Sequence, residues 1–251
     1  GKTTVLGQMP DWNPVEMIGR APRALAISLY KKLITDHAWR KAREIMDYNV
    51  PSGQPLMVSL AGQPFIDTRL SFNSFLPKTL SPKISEKVVN HWVECLANSP
   101  ALHDKVEFDV AITSYSFDID KKIKNLLNNS LNKNEKKYFK KTHLDQTRNL
   151  ITGKNKGSLD HALNKIETLN KKQFKKNYNK LKFDESNIFK IISDCTELGT
   201  IPFAILARHA FIAKTILLSL KNVGILSDVQ KDHFLNSIRT VASDLVDDMG
   251  A

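Results

Sequence analysis

The sequence predicts an α+β protein that is mainly helical and carries a small, mostly antiparallel sheet. Apolar residues recur at helical spacing over much of the 251-residue chain, which favours helices. Two short segments on either side of residues 62–64 alternate between polar and apolar side chains, which favours strands. An apolar share of 41% is enough for a substantial core.

The first half of the chain supplies one helix and two strands. Residues 24–47 predict a moderately broken helix, because apolar side chains recur there every three or four positions. Residues 56–60 and 65–72 predict two strands. In the second strand Asp67 and Arg69 share a polar face, as expected of a sheet that lines a cleft or faces solvent.

A second helix and a third strand follow. Residues 82–98 predict a helix, with Ser81 as its N-cap and Pro82 as its first residue. Residues 106–117 predict a strand, because four apolar side chains alternate at its start: Val106, Phe108, Val110 and Ile112.

The C-terminal part predicts further helices. Residues 186–222 read as one or two long helices with a break at residues 199–202. Gly224 fits a helix stop, and Ser227 fits the cap of a last helix that runs to about residue 246.

The charge distribution divides the chain into three parts. Residues 1–120 carry no net charge and predict a substrate-binding α+β body with the small sheet. Residues 121–190 carry 19 basic and 6 acidic side chains, and predict a Lys/Asn-rich helical insert or lid. Residues 191–251 predict helices that pack back on the body.

The lysines of residues 121–182 leave two interpretations open. A solvated helical hairpin, peripheral to the fold, fits their low apolar content. Binding to a nucleic-acid backbone fits their charge, but Arg148 is the one arginine there, and arginine is the usual carrier of bidentate phosphate contacts.

The cysteines and the apolar stretches predict a cytoplasmic protein without a membrane span. Cys95 and Cys195 have no clustered partners for a disulfide framework or a zinc site. The longest apolar stretch, near residues 212–220, is interrupted by Lys214 and is too short to cross a bilayer.

A proline-fixed loop is the first candidate binding element. Trp12 and Asn13, next to Pro14, offer an aromatic face and an amide that a rigid loop can aim at a ligand. The alternative is that Trp12 fills the core and Asn13 caps a helix. Arg20 and Arg23 follow and suit carboxylates or phosphates, unless they form ordinary surface ion pairs.

Three further candidates lie on the predicted second strand. Asp67, Arg69 and Asn73 continue one strand face if no bulge intervenes, and a charged row of this kind suits a substrate cavity. An ion pair facing solvent is the alternative. Arg208, inside an apolar helix, must find a partner or reach a cavity.

Four segments resemble the central region of phosphoenolpyruvate synthase and pyruvate phosphate dikinase-like phosphotransferases. They are MPDWNPVEMIG at residues 9–19, LAISLY at 25–30, FIDTRLSFNSF at 65–75 and GTIPFAILAR at 199–208. The resemblance covers residues 5–118 and 194–246.

The resemblance implies a multidomain enzyme in which an ATP-grasp domain phosphorylates a swivelling phosphohistidine domain. That domain then carries the phosphoryl group to a small-molecule acceptor, and this chain shapes the acceptor site. ATP and magnesium (Mg) are expected on the ATP-grasp domain. No cofactor or metal is expected on this chain, which has no phosphohistidine motif and no glycine-rich nucleotide loop.

These observations favour a non-catalytic substrate-binding and scaffold domain, a fragment of a phosphotransferase that is not active alone. The eight residues named above are expected to line one substrate site: Trp12, Asn13, Arg20, Arg23, Asp67, Arg69, Asn73 and Arg208. A basic nucleic-acid-binding protein is the alternative. An enzyme built on His103, Asp104 and Glu107 is least favoured, because no nucleophile accompanies them.

Overall fold

A computed structural model describes residues 1–8, 10–127, 130–153, 157–175 and 185–238. The fold is mainly helical with one three-stranded antiparallel sheet, which confirms the expected α+β class. The helices are α1 (Pro14–Ile18), α2 (Ala24–Tyr30), α3 (Ala38–Ile45), α4 (Thr68–Asn73), α5 (Pro82–Asn98), α6 (Ile119–Leu126), α7 (Lys133–Ile151), α8 (Ser158–Lys175), α9 (Glu185–Cys195), α10 (Ile201–Asn222) and α11 (Asp228–Asn236).

The sheet has the order β1-β3-β2. Its strands are β1 (Leu6–Gly7), β2 (Met57–Leu60) and β3 (Gln63–Asp67). β2 and β3 form a hairpin whose two turn residues, Ala61 and Gly62, have φ values of 49° and 76°. Positive φ at both turn positions matches the right-handed twist of the flanking strands.

The expected strand over residues 65–72 is wrong beyond Asp67. The Asp67 carboxylate accepts hydrogen bonds from the backbone N–H groups of Arg69, at 2.9 Å, and Leu70, at 3.3 Å, so it caps α4. A capping carboxylate satisfies N–H groups that open a helix, and this local bond outweighs the alternating pattern. Arg69 and Asn73 are consequently one helical turn apart on α4.

The expected strand over residues 106–117 is also wrong. Val106–Val110 form a π-helical turn, and an irregular segment follows. Val106 and Val110 are both buried. Residues four apart can share a face of a helical turn as well as of a strand, so alternation over a few residues does not separate the two.

The helix predictions are confirmed at most of their boundaries. The break expected within residues 24–47 is a π-helical turn, Lys31–Thr35, between α2 and α3. Ser81 caps α5 through the Ile84 N–H, and Ser227 forms a capping box with Gln230 at α11. The last helix, expected to run to about residue 246, ends at Asn236, and the described residues stop at 238.

The core joins the three parts of the chain. One cluster connects α4 and α5 with α6 and α7, and includes Phe72, Trp92, Ile123 and Phe139. A second connects α3 with α8 and α10, and a third joins the sheet to α2 and α3. The first two clusters cross residue 120 or residue 190, where the charge distribution changes.

The expectation that residues 121–182 are peripheral is wrong for α7. Phe139 and His143 are fully buried, and Leu150 is 3% exposed. These residues lie on one face of the helix, and the lysines lie on the others. The segment therefore needs few apolar residues to join the core, because they are concentrated in one stripe.

The helical stretch Ser186–Asn222 is long and apolar enough to cross a membrane by length and composition alone. The expectation that the longest apolar stretch is too short to cross a bilayer was based on residues 212–220 alone. The helical stretch is longer because it continues through the π-helical turn Thr196–Thr200. In its most apolar 18-residue segment, a third of the residues are buried against the rest of the protein. Its Arg208 is buried and ion-paired, as in a core helix of a globular fold.

Candidate functional site

A cavity of about 990 Å³ lies between the loop that precedes α1, helices α3, α8 and α10, and the turn Val106–Val110. A volume of this size suits a drug-sized molecule. Its walls are largely apolar, and they include Trp12, Met17, Ile34, Trp39, Met46, Phe108, Ile166, Leu169, Phe203 and Phe211.

The loop before α1 has a strained backbone. Asp11, Trp12 and Asn13 have φ values of 42°, 52° and 31°, in the left-handed region. Such a conformation costs a non-glycine residue about 1 kcal/mol or more, and it is concentrated at functional sites. All three residues line the cavity.

Three side chains hold this loop in place, one from the loop itself and two from neighbouring helices. The Asn13 side chain accepts a hydrogen bond from the Glu16 N–H at 3.2 Å and caps α1. The Tyr30 hydroxyl donates to the Trp12 carbonyl, and the Ser71 hydroxyl donates to Asp11 Oδ2 at 3.0 Å. The strained conformation is therefore fixed by α2 and α4.

Two buried arginines and two carboxylates form one side of the cavity. Arg208 donates two hydrogen bonds to Glu107 Oε2, at 2.6 and 3.0 Å. Arg43 Nη2 lies 3.4 Å from Asp11 Oδ1. Both guanidinium groups lie over the Phe75 ring, at 5.2 Å for Arg43 and 5.1 Å for Arg208. We call these four charged residues the charged cluster.

The charged cluster is balanced within itself. The pKa of Arg43 is lowered, because burial and the neighbouring Arg208 outweigh Asp11 and Glu107, which raise it. Burial also lowers the pKa of Arg208, but Glu107 and other negative groups outweigh it, so that pKa is raised. Both guanidinium groups stay protonated, since arginine keeps its proton in proteins. Each arginine thus has a carboxylate partner in place before any ligand arrives.

All three π-helical turns in the described part of the chain border the cavity. Lys31–Thr35 supplies Ile34, Val106–Val110 supplies three residues including Glu107, and Thr196–Thr200 supplies Gly199 and Thr200. Turns of this kind are rare in proteins as a whole, and those that occur are often found at functional sites. They mark the same cavity as the strained loop does.

Buried N–H donors remain unpaired at the cavity. Arg208 Nε, Trp12 Nε1 and Trp39 Nε1 have no hydrogen-bond partner among the described residues, and all three side chains line the cavity. A buried donor without an acceptor costs about 1–3 kcal/mol. These three atoms have almost no accessible surface, so they do not face a ligand and only add to the cost of this arrangement of side chains.

The structure brings three of the eight predicted site residues together. Trp12, Asn13 and Arg208 line the cavity. Arg20 and Arg23 are exposed and are not among its lining residues.

The other three predicted residues lie elsewhere. Arg69 and Asn73 border a separate cavity of about 290 Å³. Arg69 Nη1 donates to Asn90 Oδ1 at 2.7 Å, and Asp67 is committed to the α4 cap. The helical geometry of α4 is the reason that this row does not continue a strand face.

Sequence reasoning missed Arg43 and the role of Asp11. Arg43 lies in an amphipathic helix, where an arginine is normally solvated, and no local pattern reveals its burial. The sequence groups Glu107 and Asp104 with His103, and both carboxylates line the cavity. The useful signal was Arg208, a charge inside an apolar helix that required a partner.

A third cavity, of about 1200 Å³, lies on another face of α10. His209 borders it, and its Nε2 lies 3.0 Å from the Ser158 hydroxyl. Burial lowers the pKa of His209. Ser158 is 3% exposed and is not among the lining residues, so the pair acts as a structural contact.

No family model, curated protein or solved structure matches this chain. Within the described ranges, no group of three or more His, Cys, Asp or Glu side chains is arranged to hold a metal ion.

Proposed function

We propose that this chain is the acceptor-binding and scaffold domain of a phosphoenolpyruvate synthase-like phosphotransferase, with the cavity beside the charged cluster as its substrate site. One observation carries the proposal. The four segments whose sequence resembles that family, far apart along the chain, converge on this cavity and on the residues that support it.

Two of the segments form the cavity wall. The segment at residues 9–19 contributes the strained loop and the first turn of α1, including Trp12 and Asn13. The segment at residues 199–208 contributes the end of the π-helical turn, with Gly199 and Thr200, and one face of the start of α10, up to Arg208. Residues with binding roles are expected to meet in this way on a rigid scaffold.

The other two segments support the wall from behind. Tyr30, at the end of the segment at residues 25–30, donates to the Trp12 carbonyl. The segment at residues 65–75 supplies Ser71, which donates to Asp11, and Phe75, which lies under both guanidinium groups. Supporting contacts of this type hold a site in its productive geometry.

The proposed task of the domain is to hold an acceptor molecule where a phosphohistidine domain can reach it. The acceptor oxygen would form a bond to phosphorus, the phosphorus–nitrogen bond would break, and the imidazole would take up the acceptor's proton. Positioning and exclusion of water supply much of the acceleration in such transfers. ATP and Mg would act on the ATP-grasp domain.

Nucleic-acid binding by the lysine-rich segment is the weaker candidate. Several of its lysines are already paired within the protein: Lys122 with Asp118, Lys140 with Asp120, Lys171 with Glu167 and Lys172 with Asp194. Paired lysines have less charge to offer to a phosphate backbone.

A three-component assay tests the proposal. The ATP-grasp and phosphohistidine domains of a phosphoenolpyruvate synthase-like enzyme are mixed with this chain, ATP labelled in its β- and γ-phosphoryl groups, and a mixture of hydroxylated compounds. We expect labelled product only when all three proteins are present, and no ATP turnover by this chain alone.

Two matched variants control the assay. Ala207→Phe places a large side chain in the proposed substrate cavity, and Ala213→Phe places the same side chain on the same helix at the third cavity. Only Ala207→Phe should remove the product. The proposal fails if the other two domains label the same compounds without this chain, or if this chain turns over ATP by itself.

A further inference from the structure

We infer that the cavity binds a largely apolar, hydroxyl-bearing molecule that carries no net negative charge. This inference rests on the proposed function for the hydroxyl group alone, because a phosphoryl acceptor needs one. The exclusion of anions follows from the cavity itself, and it reverses the sequence-based expectation that the arginines hold an anionic substrate.

The charge balance of the cavity opposes an anion. Its described lining residues include two arginines and four carboxylates, a net charge of −2: Arg43, Arg208, Asp11, Glu16, Asp104 and Glu107. The arginines, which would attract an anion, are each engaged with a carboxylate. Lys214 lies over the Phe108 ring at 4.8 Å but is not itself a lining residue.

The position of the remaining carboxylates strengthens this bias. Glu16 and Asp104 are exposed residues among those that line the cavity, so an entering ligand meets their charge as well as the charged cluster. An apolar, low-dielectric wall focuses the field of the charges it surrounds. An entering carboxylate or phosphate would meet negative potential, whereas a neutral molecule or an amine would not be repelled.

The walls favour a ligand with an apolar body. Among the described residues, five aromatic side chains line the cavity: Trp12, Trp39, Phe108, Phe203 and Phe211. They offer flat surfaces for an aromatic or alicyclic body and can stack against a cation.

Three probes with one apolar body test the inference: phenylhexanol, phenylhexylamine and phenylhexanoate. Binding is followed near neutral pH by tryptophan fluorescence, since Trp12 and Trp39 line the cavity, and by titration calorimetry. We expect the alcohol and the amine to bind at least about tenfold more tightly than the carboxylate, because the lining carboxylates repel it.

A charge-neutralising variant identifies the cause. Glu16→Gln combined with Asp104→Asn removes two exposed negative charges and leaves both buried ion pairs intact. It should reduce the discrimination against phenylhexanoate to about threefold or less. Glu94→Gln, an exposed residue on α5 outside the cavity, is the matched control and should leave the discrimination unchanged.

Equal or tighter binding of phenylhexanoate to the unmodified protein would overturn the inference, as would the absence of binding by the alcohol and the amine. The two proposals can fail separately. If labelled product still requires this chain while the carboxylate is preferred, the ligand class is wrong and the proposed function stands. If product forms without this chain while the binding order holds, the proposed function is wrong.

Discussion

Arg208 and His209 are neighbours in sequence on α10, but they lie in opposite electrostatic environments. Arg208 is 2% exposed, its pKa is raised, and two of its N–H groups donate to Glu107. His209 borders the third cavity, where burial lowers its pKa and its polar partner is the Ser158 hydroxyl. One helix therefore carries a charged side chain on one face and a neutral one on the next.

The supply of carboxylates explains the difference. The charged cluster receives Asp11 from the strained loop and Glu107 from a π-helical turn, and these compensate the burial of two arginines. His143, on α7, resembles His209 because its polar partner is also a neutral oxygen. It is fully buried, and its Nδ1 lies 2.9 Å from the Phe139 carbonyl. A carbonyl or a hydroxyl stabilises a neutral imidazole but does not compensate a full buried charge.

The largest expected effect on stability comes from removing the charge of Arg208. Arg208→Met should lower the free energy of unfolding by about 3–5 kcal/mol, because Glu107 would keep a partly buried charge without its partner. Chemical denaturation at neutral pH measures this loss.

The matched double variant separates the ion pair from simple packing. Arg208→Met combined with Glu107→Leu removes both charges, and its stability should recover most of the loss. If the double variant is as unstable as the sum of the two single variants, the pair is not what holds this region together, and the comparison with His209 fails.

The buried neutral histidines, His143 above all, are expected to make the stability of the fold sensitive to acid. Burial lowers the pKa of His143 from 6.5 to about 4. The unfolded chain therefore binds a proton between these values that the folded protein does not, so the free energy of unfolding decreases as pH falls through this window. The full shift corresponds to about 3 kcal/mol of stability, present above pH 6.5 and lost by pH 4.

His143→Asn tests this assignment, because asparagine keeps a donor for the Phe139 carbonyl but does not titrate in this range. Its free energy of unfolding should be lower at neutral pH but should change less between pH 6.5 and 4. His209→Asn is the control and should remove less of the pH dependence, since His209 is only half-buried. An unchanged slope in His143→Asn would contradict the neutral assignment.

The sequence was sufficient to predict the fold class and several of the helices, because the signals for those helices are local. Ser81, followed by Pro82, and Ser227 indicate helix starts, because their side chains can satisfy nearby N–H groups. The segments at residues 65–72 and 106–117 were misassigned because their apolar residues recur at a spacing that strands and short helical turns share.

The site was harder to predict because burial of a charge depends on distant partners. Arg208 attracted attention in an apolar helix, but its partner Glu107 lies 101 residues away in sequence. Arg43 and Asp11 are separated by 32 residues and carry no local sign of their contact. The left-handed conformation of Asp11, Trp12 and Asn13 likewise depends on Tyr30 and Ser71, which belong to other helices.

The smallest expected effects concern the exposed arginines Arg20 and Arg23. Both were assigned to the site from their sequence position beside Trp12, yet they are exposed and do not line the cavity. Replacing either with alanine should change the free energy of unfolding by less than about 0.5 kcal/mol and the affinity for phenylhexanol by less than about twofold. Arg43→Ala is the variant for comparison. Arg43 lines the cavity, and its removal leaves Asp11 without its buried partner. If Arg20→Ala or Arg23→Ala weakens binding of the alcohol as strongly as Arg43→Ala does, then burial beside a carboxylate is not what distinguishes the arginines of this site, and the substrate must extend along α1 to the exposed pair.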